Sequence, residues 1–118
     1  MPRGTDVTRS IFEKIIDRQI PATIVYEDEK ALAFRDINPV APTHILVVPK
    51  KRIDKLEDMT AEDSTLIGHL CFVANTVAKQ ESLEGYRLVI NNGEEAGQTV
   101  FHLHVHVIGG RPLSWPPG

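Results

Sequence analysis

The sequence predicts an α+β domain: five strands in an antiparallel sheet, with two helices packed on one side of it. Three observations carry this. The β-rich runs come in groups joined by short polar connections, two segments place a capping pattern ahead of an amphipathic stripe, and strands do not alternate singly with helices as βαβ units require. With 118 residues, 42% of them apolar, the chain is large enough for one core and too small for two. There is no internal repeat, and no linker-like stretch longer than the first ten residues. The expected division is a flexible segment over 1–10 and one domain over 11–118.

Ser10 precedes Ile11, Phe12, Ile15 and Ile16, with Glu13 three positions on, a capping-box pattern that opens a short amphipathic helix obliged to stop near Pro21. Ala22 to Glu27 and Ala31 to Asp36 are β-rich runs around the polar Asp28-Glu29-Lys30, the pattern of a hairpin. His44 to Pro49 is almost continuously apolar and reads as a buried strand. The longest helix is expected to start at Thr60, with Asp63 completing a second capping box. Leu66, Leu70, Ala74 and Val77 then form one stripe, and Gly85 supplies a stop. Tyr86 to Asn91 and Val100 to Ile108 are the last two strands, separated by the glycine-containing loop Asn92 to Thr99.

Bulk properties narrow the function. A formal net charge of −3 with 25% charged residues suggests neither disorder nor a polyanion-binding surface. The basic run Lys50-Lys51-Arg52 reads as a solvated turn at a strand exit rather than a nucleic-acid contact. A single cysteine, Cys71, excludes a disulfide or a cysteine-rich zinc site within one chain and fits a reducing compartment. The polar stretch Met1 to Ser10 lacks an apolar h-region and no run of about 18 apolar residues occurs, so a cytoplasmic protein with no membrane partner is expected. Neither GxxxxGK[ST] nor GxGxxG is present, so the common phosphate-cradling loops are absent.

The most informative feature is the alternation of His102, His104 and His106 with Leu103, Val105 and Val107. On a strand, residues two apart share a face at a spacing of roughly 6.6 Å, so the three imidazoles point one way and the three apolar side chains the other. Imidazoles facing a core lose hydration unless their nitrogens find partners, so three in register are costly unless used. Two chemistries compete. One is a metal site, with His44 or a carboxylate as a further ligand. The other is covalent catalysis by a neutral imidazole at phosphorus, which needs one ring nitrogen held as N–H and donors for the phosphoryl oxygens. The loop Gly93 through Gly97, Gln98 and Thr99 offers backbone N–H groups and a hydroxyl for that purpose.

The run His102-Leu-His104-Val-His106-Val-Ile, preceded by Gly97-Gln98-Thr99 and followed by Gly109-Gly110-Arg111, resembles the signature of the histidine-triad (HIT) superfamily, Hint branch. Ile11-Phe12-Glu13-Lys14-Ile15-Ile16, Ile20-Pro21-Ala22, Ala33-Phe34-Arg35-Asp36-Ile37, Ala41-Pro42-Thr43-His44 and Trp115-Pro-Pro-Gly118 match as well, so the resemblance runs from about Ile11 to Gly118. It implies a HIT-like fold whose five-stranded sheet continues across a homodimer. The implied activity is a metal-independent, cofactor-free hydrolase that releases a nucleoside monophosphate from purine nucleoside phosphoramidates or acyl-adenylates.

The implied roles fall on matching positions. His104 is the nucleophile, its N–H held by the His102 carbonyl. His106 contacts the α-phosphate and Thr99 serves the leaving group. Asp36 receives the ribose hydroxyls, Asn91, Gly97 and Gln98 lie on the phosphate side, and His44 backs the triad. Phe12, Ile20, Phe34, Ile37 and Leu46 line the purine slot, and the Trp115 tail reaches the partner protomer's site. Thr99 stands where many animal members carry serine, which narrows the leaving-group pocket by a methyl. Without the resemblance, Asp36 before Ile37-Asn38-Pro39 reads as an Asx-turn residue, His69 as a surface or dimer contact, and Cys71 as a small apolar residue of the core or an interface. Two other function classes compete: a zinc-binding protein using the same histidines, and a nucleotide-dependent interaction module without turnover.

Overall fold

The computed structural model describes residues 9–118. Helix α1 spans Ile11–Ile16, strand β1 Ile24–Glu27, β2 Ala31–Arg35, β3 Thr43–Pro49, helix α2 Ser64–Gln80, β4 Tyr86–Val89 and β5 Val105–Gly109. The strands form one antiparallel sheet in the order β1-β2-β3-β5-β4. Among the described residues, no helix is long and apolar enough to cross a membrane.

The α1 capping box forms as expected. Ser10 Oγ accepts the Glu13 N–H at 3.0 Å, and Glu13 Oε1 accepts the Ser10 N–H at 3.0 Å. Of the segment expected to be flexible, residues 1–8 lie outside the described residues, whereas Ser10 is fixed by its cap. Both helices end earlier than glycine and proline positions suggest. At the end of α1, Arg18 takes the left-handed conformation (φ 62), its N–H donating to the Ile15 carbonyl and the Gln19 N–H to Lys14. At the end of α2, Ser82 (φ 56) does the same, its N–H donating to Lys79 and the Leu83 N–H to Ala78. These are Schellman closures built on non-glycine residues, so Gly85 is not the stop. Asp63 accepts the Thr60 N–H at 2.9 Å, but this box heads a 3₁₀ turn, Ala61–Asp63, and α2 starts only after it, at Ser64.

The largest departure concerns the helices, which cover opposite faces of the sheet rather than one. Strand β3 is buried along its whole length, and its side chains divide by parity. Ile45 and Val47 join Ala31, Ala33, Leu103, Val105 and Val107 under the Leu70, Val73, Ala74, Val77 and Ala78 stripe of α2. Leu46 and Val48 join Leu32 and Phe34 under Phe12 and Ile15 of α1. A strand apolar on both sides must be covered on both sides, and the two helices divide that task.

Candidate active site

Register puts the histidines on the α1 face. Leu46, whose side chain lies in the α1 core, pairs with His106, and His44 with Ile108. His104, two residues before His106, follows the same parity, and its ring lies 5.0 Å from Phe12 and 4.9 Å from the His106 ring. Leu103, Val105 and Val107 are buried in the α2 core, so the expected division of the alternating run holds. Strand β5 itself begins only at Val105, five residues later than the β-rich run suggests. His102 and His104 are held outside the ladder, by side-chain bonds and by the Leu103 N–H, which donates to the Ile53 carbonyl at 2.6 Å.

The tautomers follow from these partners. His104 Nδ1 lies 2.8 Å from the His102 carbonyl, which only accepts, so neutral His104 carries its proton on Nδ1 and a lone pair on Nε2. The Val40 N–H donates to His44 Nδ1 at 3.1 Å, so neutral His44 bears its proton on Nε2 and donates it to His106 Nδ1 at 2.9 Å. His106 is therefore an Nε2–H donor. That nitrogen is buried and has no hydrogen-bond partner among the described residues, a costly state unless a ligand acceptor completes it. Burial lowers the pKa of His44, His102 and His104, and of His106 to about 4, where the neighbouring His104 and His44 add to the effect. Asp36, 3.5 Å from His44 Nε2, opposes this at His44, His104 and His106, and the Pro49 carbonyl and Glu13 oppose it at His102. All four imidazoles are thus held neutral near pH 7.

Asp36 makes the expected Asx turn, Oδ1 accepting the Asn38 N–H at 2.8 Å, while Oδ2 faces His44. With His44 and His106 it offers three potential ligand atoms within 4.8 Å of one another. They fit a metal poorly. A ligating His44 Nε2 requires the proton on Nδ1, where the Val40 N–H already points, and metal-bound histidines need an acceptor at that position.

Phe12, Phe34 and Leu46 form one cluster, with Ile20 packed on it. Ile37 is 87% exposed and lies instead on an open cleft of about 410 Å³ bounded by Pro21, Ala22 and Asp36. A larger cleft of about 700 Å³, between Glu81–Arg87 and Gly110–Leu113, contains no histidine and is not where this chemistry converges. Upstream of the triad, Gly93 (φ 88) and Gly97 (φ 94) take conformations that side chains resist, shaping the loop. Gln98 is 2% exposed and its amide is fully engaged by backbone: Oε1 accepts the Gly93 N–H, and Nε2 donates to the Asp54 and Val100 carbonyls. Thr99 is exposed, and Asn91 lies half-buried two residues past Val89, the partner of His106. The 81% exposed Trp115 lies on a tail tied to β4 by Arg87, which donates to the Ser114 carbonyl at 2.9 Å.

The basic run is a solvated turn at Lys51, whose side chain is 62% exposed, but not at Arg52, which is largely buried. Lys50 pairs with Glu27, Lys51 with Asp63, and Arg52 with both Glu13 and Asp54. Ser10 and Arg52 are the site-supporting residues that sequence reasoning missed. The capping pattern marks Ser10 but nothing in it points to His102, and no local signal marks Arg52.

Comparison with known proteins places the chain in a family. The HIT domain family matches residues 17–113. An uncharacterized HIT-like protein of Synechocystis sp. is 58% identical over 110 residues, covering 92% of this chain and 96% of that protein. A 14 kDa zinc-binding protein of Zea mays is 54% identical over 122 residues, covering 98% and 93%. Among solved structures, a HIT family hydrolase from Legionella pneumophila superposes with a TM-score of 0.90 at 47% identity, covering 93% of this chain and 100% of that one. A histidine triad protein from Clostridium difficile gives 0.88 at 44% identity, with 97% of each covered. Similarity of this extent, in sequence and in backbone, reflects common descent: the chain belongs to the HIT domain family and has its fold.

Proposed function

We propose that the protein is a hydrolase of purine nucleoside phosphoramidates and related nucleotides, of the Hint type, acting through a covalent nucleotidyl-histidine intermediate. The observation that carries this is the 2.8 Å bond from His104 Nδ1 to the His102 carbonyl, which leaves the Nε2 lone pair of a 7% exposed, neutral imidazole as the nucleophile. That lone pair attacks the α-phosphorus. The P–N bond breaks, the leaving nitrogen takes the electron pair, and Thr99 assists its protonation. The positive charge formed on His104 is stabilised through Nδ1–H by the His102 carbonyl, and the unpartnered His106 Nε2–H donates to a phosphoryl oxygen. Water then attacks phosphorus and gives up a proton to solvent, the P–N bond to His104 breaks with its electron pair returning to Nε2, and the nucleoside monophosphate is released. Asp36 receives the ribose hydroxyls, with the base towards Phe12, Phe34, Leu46 and Ile20.

The mechanism requires no metal and no cofactor. Turnover of an adenosine phosphoramidate by metal-stripped protein, absent in His104→Ala while nucleoside monophosphate binding is retained, is the expected result. Retained turnover in the variant removes the assigned nucleophile, and binding without turnover in the wild type favours an interaction module.

The working form we propose is a homodimer joined through the β4 edge and α2. Tyr86 and Leu88 on β4 and Phe72 on α2 (64% exposed) are large apolar side chains open to solvent in one chain. Sedimentation is expected to give twice the chain mass for the wild type and the single-chain mass for Phe72→Glu. A wild-type monomer counts against this assembly.

A further inference from the structure

The carbonyl of His102 sets the tautomer of His104, so whatever fixes residue 102 fixes the nucleophile. The peptide unit between His102 and Leu103 is held at both ends: its C=O accepts from His104 Nδ1 at 2.8 Å and its N–H donates to the Ile53 carbonyl at 2.6 Å. The His102 ring is held at both nitrogens too. Nε2 lies 2.8 Å from the Pro49 carbonyl, an acceptor only, so the neutral ring carries its proton there and a lone pair on Nδ1. That lone pair faces Ser10 Oγ at 3.0 Å. Ser10 Oγ already accepts the Glu13 N–H, which leaves its own O–H as the donor to His102. Behind it, Glu13 Oε1 accepts the Arg52 guanidinium at 2.7 Å, and Arg52 Nε donates to Asp54 at 2.8 Å. Arg52 and Asp54 flank Ile53, the residue that holds the Leu103 N–H, so the network closes on the peptide unit it started from.

The geometry points to the N-cap of α1 as a positioning device for the nucleophile: the Ser10 hydroxyl, backed by Glu13 and Arg52, works with the Pro49 carbonyl to lock the His102 ring in place as its Nε2–H tautomer and so aims the His102 carbonyl at His104 Nδ1. The effect on turnover rests on His104 being the nucleophile; the tautomer lock does not. A bare helix cap is the competing role, and Ser10→Asp separates the two, because aspartate is a strong N-cap acceptor but cannot donate to His102.

Imidazole ¹⁵N NMR of the full chain is expected to show a protonated Nε2 and bare Nδ1 at His102. In Ser10→Ala the Pro49 carbonyl still holds Nε2–H, but Nδ1 loses its donor and its ¹⁵N signal moves to that of an unbonded imine nitrogen, and kcat for whichever donor the wild type cleaves falls about five- to tenfold, the worth of one hydrogen bond, with KM changed by under about twofold. Ser10→Thr restores both. Ser10→Asp keeps the wild-type Tm but protonates His102 Nδ1 and lowers kcat as alanine does. An unchanged His102 signal in the alanine and aspartate variants, or a kcat that merely follows Tm across the series, overturns the proposal. If the wild type turns nothing over, the NMR result alone decides the lock, and it is the nucleophile reading that has failed.

Discussion

The two faces of the sheet are made from the same strands, yet one is a closed core and the other is a site. On the α2 face, a 17-residue helix lies across Ala31, Ala33, Ile45, Val47, Leu103, Val105 and Val107, every one apolar. On the α1 face, a six-residue helix covers only Leu32, Phe34, Leu46 and Val48. Beside these the row continues as His104, which packs against Phe12, and then His106 and His44. The helix left short by the Schellman closure at Arg18 exposes the part of the sheet where chemistry is possible, while the long helix supplies the rigid backing.

That contrast can be broken from either side. The largest expected effect is His104→Ala, which lowers turnover by a factor on the order of 10⁴ or more at nearly unchanged stability, as kinetics and thermal melts on the same sample check. Leu70→Ala is its mirror image. Removing a fully buried side chain from the α2 core is expected to lower unfolding free energy by about 2–5 kcal/mol in urea titrations while the folded fraction keeps its kcat. If Leu70→Ala instead changes kcat in the folded fraction, the two faces are not separable.

A smaller effect is expected for His44→Ala, which removes the donor that sets the His106 tautomer. A loss of about tenfold in kcat, with little change in monophosphate affinity, checks it. The last is a pH effect on the histidine face. His106 falls to about 4 when folded, against about 6.5 for a free imidazole, so the unfolded chain binds the proton more readily. Its contribution to stability is therefore full above about pH 6.5 and is lost on acidification towards about pH 4. Melts across that window are expected to show a shallower slope in His106→Asn than in the wild type, and an unchanged slope in Leu70→Ala. Turnover falls in the same direction, since a protonated His104 has no lone pair to offer.

Much of this was legible in advance. The alternation of imidazoles with Leu103, Val105 and Val107 divides the strand between two faces whatever the rest of the fold does, because strand periodicity is local. The cap at Ser10, the hairpin at Asp28 and the buried β3 are local in the same sense. The helix ends were not, since a left-handed Arg18 or Ser82 has no signature as plain as a glycine there. Nor was the placement of α1 opposite α2: a continuously apolar β3 requires cover on both sides without saying which helix supplies it. Position alone puts Gln98 on the phosphate side, yet its amide is spent on the backbone of Gly93, Asp54 and Val100.

By itself, then, the sequence determined which residue types stand in register and which face of a strand each takes, because those follow from backbone geometry over a few residues. Only the tertiary structure decided which nitrogen of each imidazole carries the proton. That choice belongs to the Pro49 carbonyl, the Val40 N–H and the Ser10 hydroxyl, partners that folding brings into hydrogen-bonding range and that no local pattern specifies.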